Sequence, residues 1–244
     1  MITWLTQHLR IRLLSVYAIL AICLLCAAPA ARAQDATSAE PSSTADPDEA
    51  GKAGDRIFGL LPNHTTVEGA KVIQPVSTKE KFHMAVEDAF DKPVFPFVVF
   101  TTWVAQVQGD EASWGKGPAG FAKRYVTTFS DDAIATFLTT AIMPTVLHQD
   151  PRYFELGEGG AWHRTAYAAT RSFVTLGRSG HSQFNYSDVT GNFIAAGISN
   201  LYHPAEDRSW SDTVTRWGTQ MMWDVLSDEL KEFWPDIRRR IRKP

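Results

Sequence analysis

Cysteine is nearly missing from this sequence, and positive charge is not in excess. The chain of 244 residues has 2 cysteines, Cys23 and Cys26, and a formal net charge of −3. Without a basic surplus the chain is not an ordinary nucleic-acid binder, because such proteins need cations to displace the counterions of phosphates. The composition, with 44% apolar and 21% charged residues, also excludes collagen, a coiled-coil rod and a wholly disordered chain.

The first 33 residues are typical of a cleavable signal peptide. Arg10 and Arg12 precede an apolar stretch, Leu13–Ala28, and Ala31–Ala33 places small residues where a signal peptidase cuts. A membrane anchor is the alternative, but the stretch is short for a span of about 20 residues. Cleavage removes both cysteines, so the mature chain has no disulfide. It also removes three arginines and no acidic residue, which changes the net charge to −6.

Beyond the signal peptide the pattern predicts a linker and one helical domain. Residues 34–55 are Ala, Ser, Thr, Pro and acidic residues, which is typical of a flexible linker, and residues 56–244 form the domain. Ser77–Glu80 reads as a capping box at a helix start. The stripe behind it consists of Phe82, Ala85, Val86, Ala89 and Phe90. An apolar stripe at 121–129 predicts a further helix. The other predicted helices are 95–108, Asp131–His148 with two acidic residues at its start, 161–176, 187–202 and 211–233. We expect an all-α single bundle of about six to seven helices.

Three stretches of 17 residues contain no Asp, Glu, Lys or Arg: Pro93–Gly109, Ala133–Gln149 and Val189–Ala205. An ordinary amphipathic helix shows a charged face at every turn. We therefore expect these helices to be buried on nearly all sides, in the central layer of a soluble bundle. Contact with lipid is the alternative interpretation.

Residues 148–207 hold most of the polar groups suited to a site, including four histidines and several arginines. His181 follows a glycine turn ahead of a predicted helix. His203 and Asp207 are four residues apart, so that Asp207 would fix the tautomer of the imidazole if the backbone turns there. Arg152 and Arg178 are the candidate phosphate- or ligand-binding residues.

His181 resembles one motif of the type 2 phosphatidic acid phosphatase superfamily, and His203 with Asp207 resembles another. The resemblance implies that His203 attacks phosphorus, Asp207 orients it, His181 protonates the leaving group and Arg152 holds phosphoryl oxygens. Thr145 stands where that family has a lysine. The catalytic motif is therefore incomplete, because the cations that stabilise the transition state are missing.

The mature domain also resembles an uncharacterised family of exported bacterial helical proteins. The segments that carry this resemblance are 87–91, 148–154, 197–200 and 232–237. It implies a coherent exported domain and brings no activity with it.

These observations favour a non-catalytic binding or structural module of the periplasm or cell envelope, with a phosphatidic acid phosphatase-like phosphohydrolase as the alternative. The expected partners are a small molecule, an envelope protein or lipid, and no nucleic acid. We expect no cofactor and no metal, although His203 with Asp207, or His148 with Asp150, has the ligand types that suit Zn²⁺ or Fe²⁺.

Overall fold

The computed structural model describes residues 66–67 and 75–241. The predicted signal peptide, 1–33, and the predicted linker, 34–55, lie outside the described residues. The described residues fall into two compact units, and the larger one contains 66–67, 75–157 and 164–241. The smaller unit includes Glu158–His163.

The predicted all-α class is confirmed. The described residues form six helices, one of which, the continuous rod 118–146, consists of two α-helical parts with separate labels. The helices are α1 (Thr78–Ala89), α2 (Val94–Gln108), α3 (Pro118–Thr136), α4 (Met143–Val146), α5 (Ala161–Arg171), α6 (Tyr186–Ser199) and α7 (Trp210–Ile241). A π-helical turn, Phe137–Ile142, joins α3 to α4. Helix α6 packs against this rod and against α7, while α2 packs against α3 and α1 against the π-helical turn.

Short strands connect the helices. Strand β1 (Thr66–Val67) pairs in parallel with β2 (Tyr153–Phe154). Strands β3 (Val174–Leu176) and β4 (Ser182–Phe184) form an antiparallel hairpin. The prediction of a helix as far as residue 176 is therefore wrong, since α5 ends at Arg171 and the chain then becomes extended.

Local sequence signals place several helix ends correctly. Ser77 and Glu80 form the predicted capping box, in which each side chain accepts a hydrogen bond from the other's backbone N–H, at 3.3 and 3.4 Å. Helix α2 ends at Gly109, whose φ of 79° lies in the left-handed region that favours glycine.

Two acidic residues mislead the prediction of helix ends. Asp131 and Asp132 do not begin a new helix, because α3 runs through them to Thr136. Their place is fixed instead by tertiary partners, since Asp131 accepts hydrogen bonds from Tyr202 and His203. The π-helical turn, Phe137–Ile142, ends two residues before Pro144.

The uncharged helices are not buried on nearly all sides, and that expectation is wrong. In α2, Val98 and Thr102 face inward, while Val99, Phe100 and Trp103 are exposed. The other two stretches are arranged in the same way. Their buried residues are mostly small or polar and include Leu138, Ala141, Pro144, Gln149, Gly191, Asn192, Ala195, Ala196, Ser199 and His203. Their exposed residues include six large apolar ones: Ile142, Val146, Leu147, Phe193, Ile194 and Leu201.

The buried side of α1 is rotated relative to the predicted stripe. Ala85 and Ala89 are buried as predicted, but Phe82, Val86 and Phe90 are exposed. Lys81 is 6% exposed, whereas the adjacent Phe82 is 41% exposed. The Lys81 ammonium lies inside because its Nζ donates to the carbonyl oxygens of Pro144 and Gln149, at 2.8 and 2.6 Å. Two backbone acceptors thus stabilise a cation where the sequence pattern predicts an aromatic ring.

Close helix contact at Gly191 positions α6 in the bundle. A Cβ atom at this position would lie 3.0 Å from Cγ2 of Thr139 and 3.3 Å from the backbone of Leu138. The α6 backbone therefore lies directly against the π-helical turn. Gly197, on the same helix, has open space where its Cβ would be.

We predict opposite effects of alanine at these two glycines. Gly197→Ala should raise the free energy of unfolding by about 0.5–1 kcal/mol, because alanine is the better helix former. Gly191→Ala should be less stable than Gly197→Ala by roughly 1–3 kcal/mol, since its methyl group overpacks the contact. Urea unfolding followed by circular dichroism measures both. Equal stability of the two variants would contradict the close contact.

Candidate functional site

The loop between α2 and α3 is held by Arg124, whose side chain is 2% exposed. Its guanidinium donates to the carbonyl oxygens of Asp110, Glu111 and Gly115 at 2.6 to 2.9 Å. Gly120 makes this possible, because a Cβ there would lie 2.4 Å from the Gly115 oxygen. The loop is thereby fixed with the Glu111 carboxylate toward the interior.

His203 lies against this loop, between two carboxylates. Its Nε2 is 2.9 Å from Oδ2 of Asp131, and its Nδ1 is 3.5 Å from Oε1 of Glu111. The hydroxyl of Tyr202 donates to the other oxygen of Asp131, at 2.5 Å. The indole of Trp114 stacks on the imidazole, with ring centroids 6.1 Å apart.

This environment makes His203 a cation. Burial works to lower its pKa, but the hydrogen bond to Asp131 and the Glu111 carboxylate outweigh burial and raise the pKa of His203 to about 9. Both ring nitrogens therefore carry protons at neutral pH, and neither has a lone pair for attack. Asp207 is not the carboxylate that orients the ring, since Asp131 and Glu111 take that place. The backbone oxygen of Asp207 accepts a hydrogen bond from Arg216.

His181 and Arg178 lie in the turn of the β3–β4 hairpin, and both are exposed. The His181 ring has the Ser179 hydroxyl as a neighbour, with Nδ1 and Oγ 3.2 Å apart. The backbone N–H of Arg178 donates to the carbonyl oxygen of His148. His181 and His203 thus lie in different surroundings, one on a hairpin turn and one between buried carboxylates.

Arg152 is paired with Asp150, with Nη2 2.7 Å from Oδ2, and its guanidinium lies over the ring of Phe154. Burial lowers the pKa of Lys81, Asp150 opposes that effect, and Arg152 and Arg178 add to it. Lys81, Arg152 and Arg178, which we call the cationic group, each bond to one residue of the segment 148–150: Lys81 to the carbonyl oxygen of Gln149, Arg178 through its N–H to that of His148, and Arg152 to Asp150.

A second polar cluster, absent from the predictions, lies between α6 and α7. The side-chain amide of Asn192 donates to Asp224 at 2.7 Å and to Asp188 at 3.2 Å. One turn further along α7, Asp228 pairs with Lys231 at 3.2 Å. The Asn192 amide, the Ser172 hydroxyl and the Lys231 ammonium donate to these three carboxylates, so the carboxylates outnumber the cation that bonds to them.

The carboxyl groups of this second cluster, which we call the acidic cluster, hold protons near neutral pH. Burial and the neighbouring Asp228 raise the pKa of Asp224 to about 7. Burial and Asp224 raise the pKa of Asp188 in the same direction. Burial and Asp131 raise the pKa of Asp132 to about 6. These raised pKa values come from crowding and burial, which disfavour the charged carboxylate.

Glu232 of α7 ties the segment after β2 to the bundle. Its side chain is 0% exposed, and it accepts hydrogen bonds from the Tyr153 hydroxyl at 2.7 Å and from the backbone of Leu156 and Gly157 at 3.0 and 3.1 Å. Nε of Arg164 donates to it at 2.7 Å. Four donors for one carboxylate make Glu232 a structural anchor, and they leave it little capacity for a ligand.

The described residues, 66–67 and 75–241, contain no group of three or more His, Asp or Glu side chains arranged to hold a metal ion. His203, in particular, faces Asp131 and Glu111. The sequence missed these two carboxylates because they are distant from His203 in the chain. Asp131 lies within α3 and not at a helix start, so its local sequence does not indicate this contact.

The outer surface of α2 is apolar. We call the side chains of Pro96, Val99, Phe100, Trp103 and Val107, which follow one another at helical spacing, the α2 face. All five are exposed, Trp103 by 56% and Val107 by 65%. Within the described part of the chain, no helix combines the length and apolar content needed to cross a membrane.

We predict that the charge of His203 contributes stability that depends on pH. Because the folded pKa is about 9, against an ordinary value of 6.5, the contribution is complete below pH 6.5 and is lost as the pH rises through about 9. It amounts to at most about 3 kcal/mol. In Asp131→Asn the pKa of His203, followed by NMR, should fall by more than one unit. The decrease in the free energy of unfolding as the pH rises through about 9 should then be smaller than in wild type. Asp207→Asn is the control and should leave the His203 pKa nearly unchanged. A larger shift in Asp207→Asn than in Asp131→Asn would restore Asp207 as the partner.

Neutralising the acidic cluster should stabilise the protein at alkaline pH. A carboxyl whose pKa is raised from 3.8 to about 7 holds its proton more tightly when folded, so the free energy of unfolding falls as the pH rises through this range. Asp224→Asn should therefore be more stable than wild type by about 1–3 kcal/mol at pH 8 and nearly equal at pH 4. Urea unfolding at the two pH values tests this, with the exposed Glu87→Gln as control. A stability gain that is the same at both pH values would contradict the raised pKa.

The comparisons with known proteins add no relative: no protein-family model, no curated protein and no solved structure matches this chain.

Proposed function

We propose that this protein is an exported, non-catalytic helical module of the cell envelope that works by binding through its apolar exterior. The observation that carries the proposal is the distribution of side chains. Charged and polar groups such as Lys81, Arg124 and Glu232 are buried, while Phe100 and Trp103 are exposed. Exposed apolar surface of this kind marks sites of interaction with proteins, membranes or ligands.

The export part of the proposal rests on the N-terminal sequence. Arg10 and Arg12, the apolar stretch Leu13–Ala28 and the small residues Ala31 and Ala33 are the parts of a cleavable signal peptide. The periplasm or the cell envelope is then the place of action. A mature chain without cysteine depends on packing and hydrogen bonds for its stability there.

The alternative function, a phosphatidic acid phosphatase-like phosphohydrolase, has less support. It requires His203 as a neutral nucleophile, whereas a pKa of about 9 keeps the ring cationic. It also requires Arg152 to hold phosphate, whereas Arg152 is paired with Asp150. The cationic group of Arg152, Arg178 and Lys81 favours at most the binding of an anion.

Phase separation in the detergent Triton X-114 tests the proposed function. The mature chain, residues 34–244, should enter the detergent-rich phase, because the exposed apolar side chains are transferred out of water. The same preparation should hydrolyse p-nitrophenyl phosphate no faster than buffer. His181→Ala is the variant that tests the alternative, and His83→Ala, another exposed histidine, is its control.

Turnover that disappears in His181→Ala and persists in His83→Ala would overturn the non-catalytic proposal. A mature chain that stays wholly in the aqueous phase would overturn binding through the apolar exterior.

A further inference from the structure

We infer that the α2 face lies against the acyl chains at the surface of a lipid bilayer. This inference rests on the proposed function, since it names the partner of the exterior that the proposal calls a binding surface. The occupant is lipid, and a second copy of the chain or another protein is an outcome that the experiment separates.

The charge distribution along α2 matches the boundary of a bilayer. The 17 residues from Pro93 to Gly109 carry no ionisable group, and charges stand directly at both ends, at Lys92 and at Asp110. The side opposite the α2 face packs on the bundle through Val98 and Thr102. An uncharged apolar surface limited by charges is what insertion into the acyl region requires, because hydrocarbon solvates apolar groups and excludes ions.

The interior has the chemistry of helices that pack in lipid. Gly191 brings α6 within van der Waals distance of the π-helical turn, and buried Ala195 and Ala196 keep that contact close. Asn192 donates hydrogen bonds between helices, to Asp224 of α7. Small residues and side-chain hydrogen bonds are the means of helix association where the surroundings are as apolar as leucine. In a bundle surrounded by water, burying an aromatic ring such as Phe100 and exposing an ammonium group such as Lys81 would be favoured.

A protein partner fits the α2 face less well than lipid does. Protein interfaces combine apolar area with a polar rim and about one hydrogen bond per 100–200 Å². Of the five side chains in the α2 face, Trp103 alone has a polar atom, its indole N–H. Tryptophan is the residue that concentrates at the boundary between acyl chains and head groups, where its ring is apolar and its N–H is solvated.

Binding of this kind depends on buried area and not on charge. The α2 face has no cation to attract anionic head groups, and the predicted mature chain has a net charge of −6. The protein should therefore bind vesicles of phosphatidylcholine at least as well as vesicles that contain phosphatidylglycerol. Salt should not release it, in contrast to proteins held by basic residues.

The cysteine-free mature chain allows a direct test. A single cysteine is introduced by Val107→Cys on the α2 face, or by Ser227→Cys at an exposed polar position of α7, and is labelled with the fluorophore NBD. On addition of phosphatidylcholine vesicles, the label at 107 should shift to the blue and gain intensity, because it enters hydrocarbon. The label at 227 should change little.

A charge on the α2 face should weaken vesicle binding. Phe100→Glu places a carboxylate where the ring is exposed, so the fold should persist, and circular dichroism checks this. Its affinity for phosphatidylcholine vesicles should fall roughly tenfold or more, since one buried aromatic side chain is lost. Ser227→Glu adds the same charge elsewhere and should bind as wild type does.

The outcomes separate this inference from the proposed function. Equal vesicle binding by Phe100→Glu and Ser227→Glu, or an unchanged NBD spectrum at 107, would overturn the lipid assignment. A wild-type dimer in sedimentation that Phe100→Glu dissociates, without vesicle binding, would assign the face to a second copy and leave the proposed function intact. If the mature chain fails to enter the detergent-rich phase, both the lipid assignment and the proposed function are overturned.

Discussion

A charged or polar side chain inside this bundle is costly unless it is hydrogen-bonded within the bundle, because water does not solvate it there. Glu232 shows how far this requirement shapes the structure. One carboxylate with no exposure collects donors from Tyr153, Leu156, Gly157 and Arg164, and so fixes the segment after β2 against α7. Arg124 does the same for the loop between α2 and α3. These polar contacts occupy the places that large apolar side chains fill in an ordinary soluble bundle.

The same requirement explains which predictions from the sequence succeed. The helix start at Ser77 and the helix end at Gly109 depend on local hydrogen bonds and backbone angles, which the sequence determines directly. Which face of a helix turns inward does not depend on local hydrogen bonds and backbone angles. Periodicity assigns Phe82 to the core, whereas Lys81, Met84, Ala85 and Ala89 form the buried side of α1. A rule of periodicity identifies two faces but cannot tell which one turns inward when the interior is polar.

The candidate site shows a similar division. His203 stands out in the sequence because histidine is rare, yet the side chains that determine its protonation, Asp131 and Glu111, lie far away in the chain. Asp207, four residues along the chain from His203, is not the partner. Tyr153 and Glu232, which bond to each other, belong to two of the segments that carry the resemblance to exported helical proteins.

The exposed apolar side chains of the uncharged stretches connect the fold to the proposed function, since they leave a hydrocarbon-like surface for binding. Extraction of membranes from cells that make the full chain tests this account most directly. After a wash with alkaline carbonate, which strips proteins held by charge, the protein should remain with the membrane pellet. Complete recovery in the carbonate wash, with the protein folded and monomeric, would contradict a lipid-facing exterior.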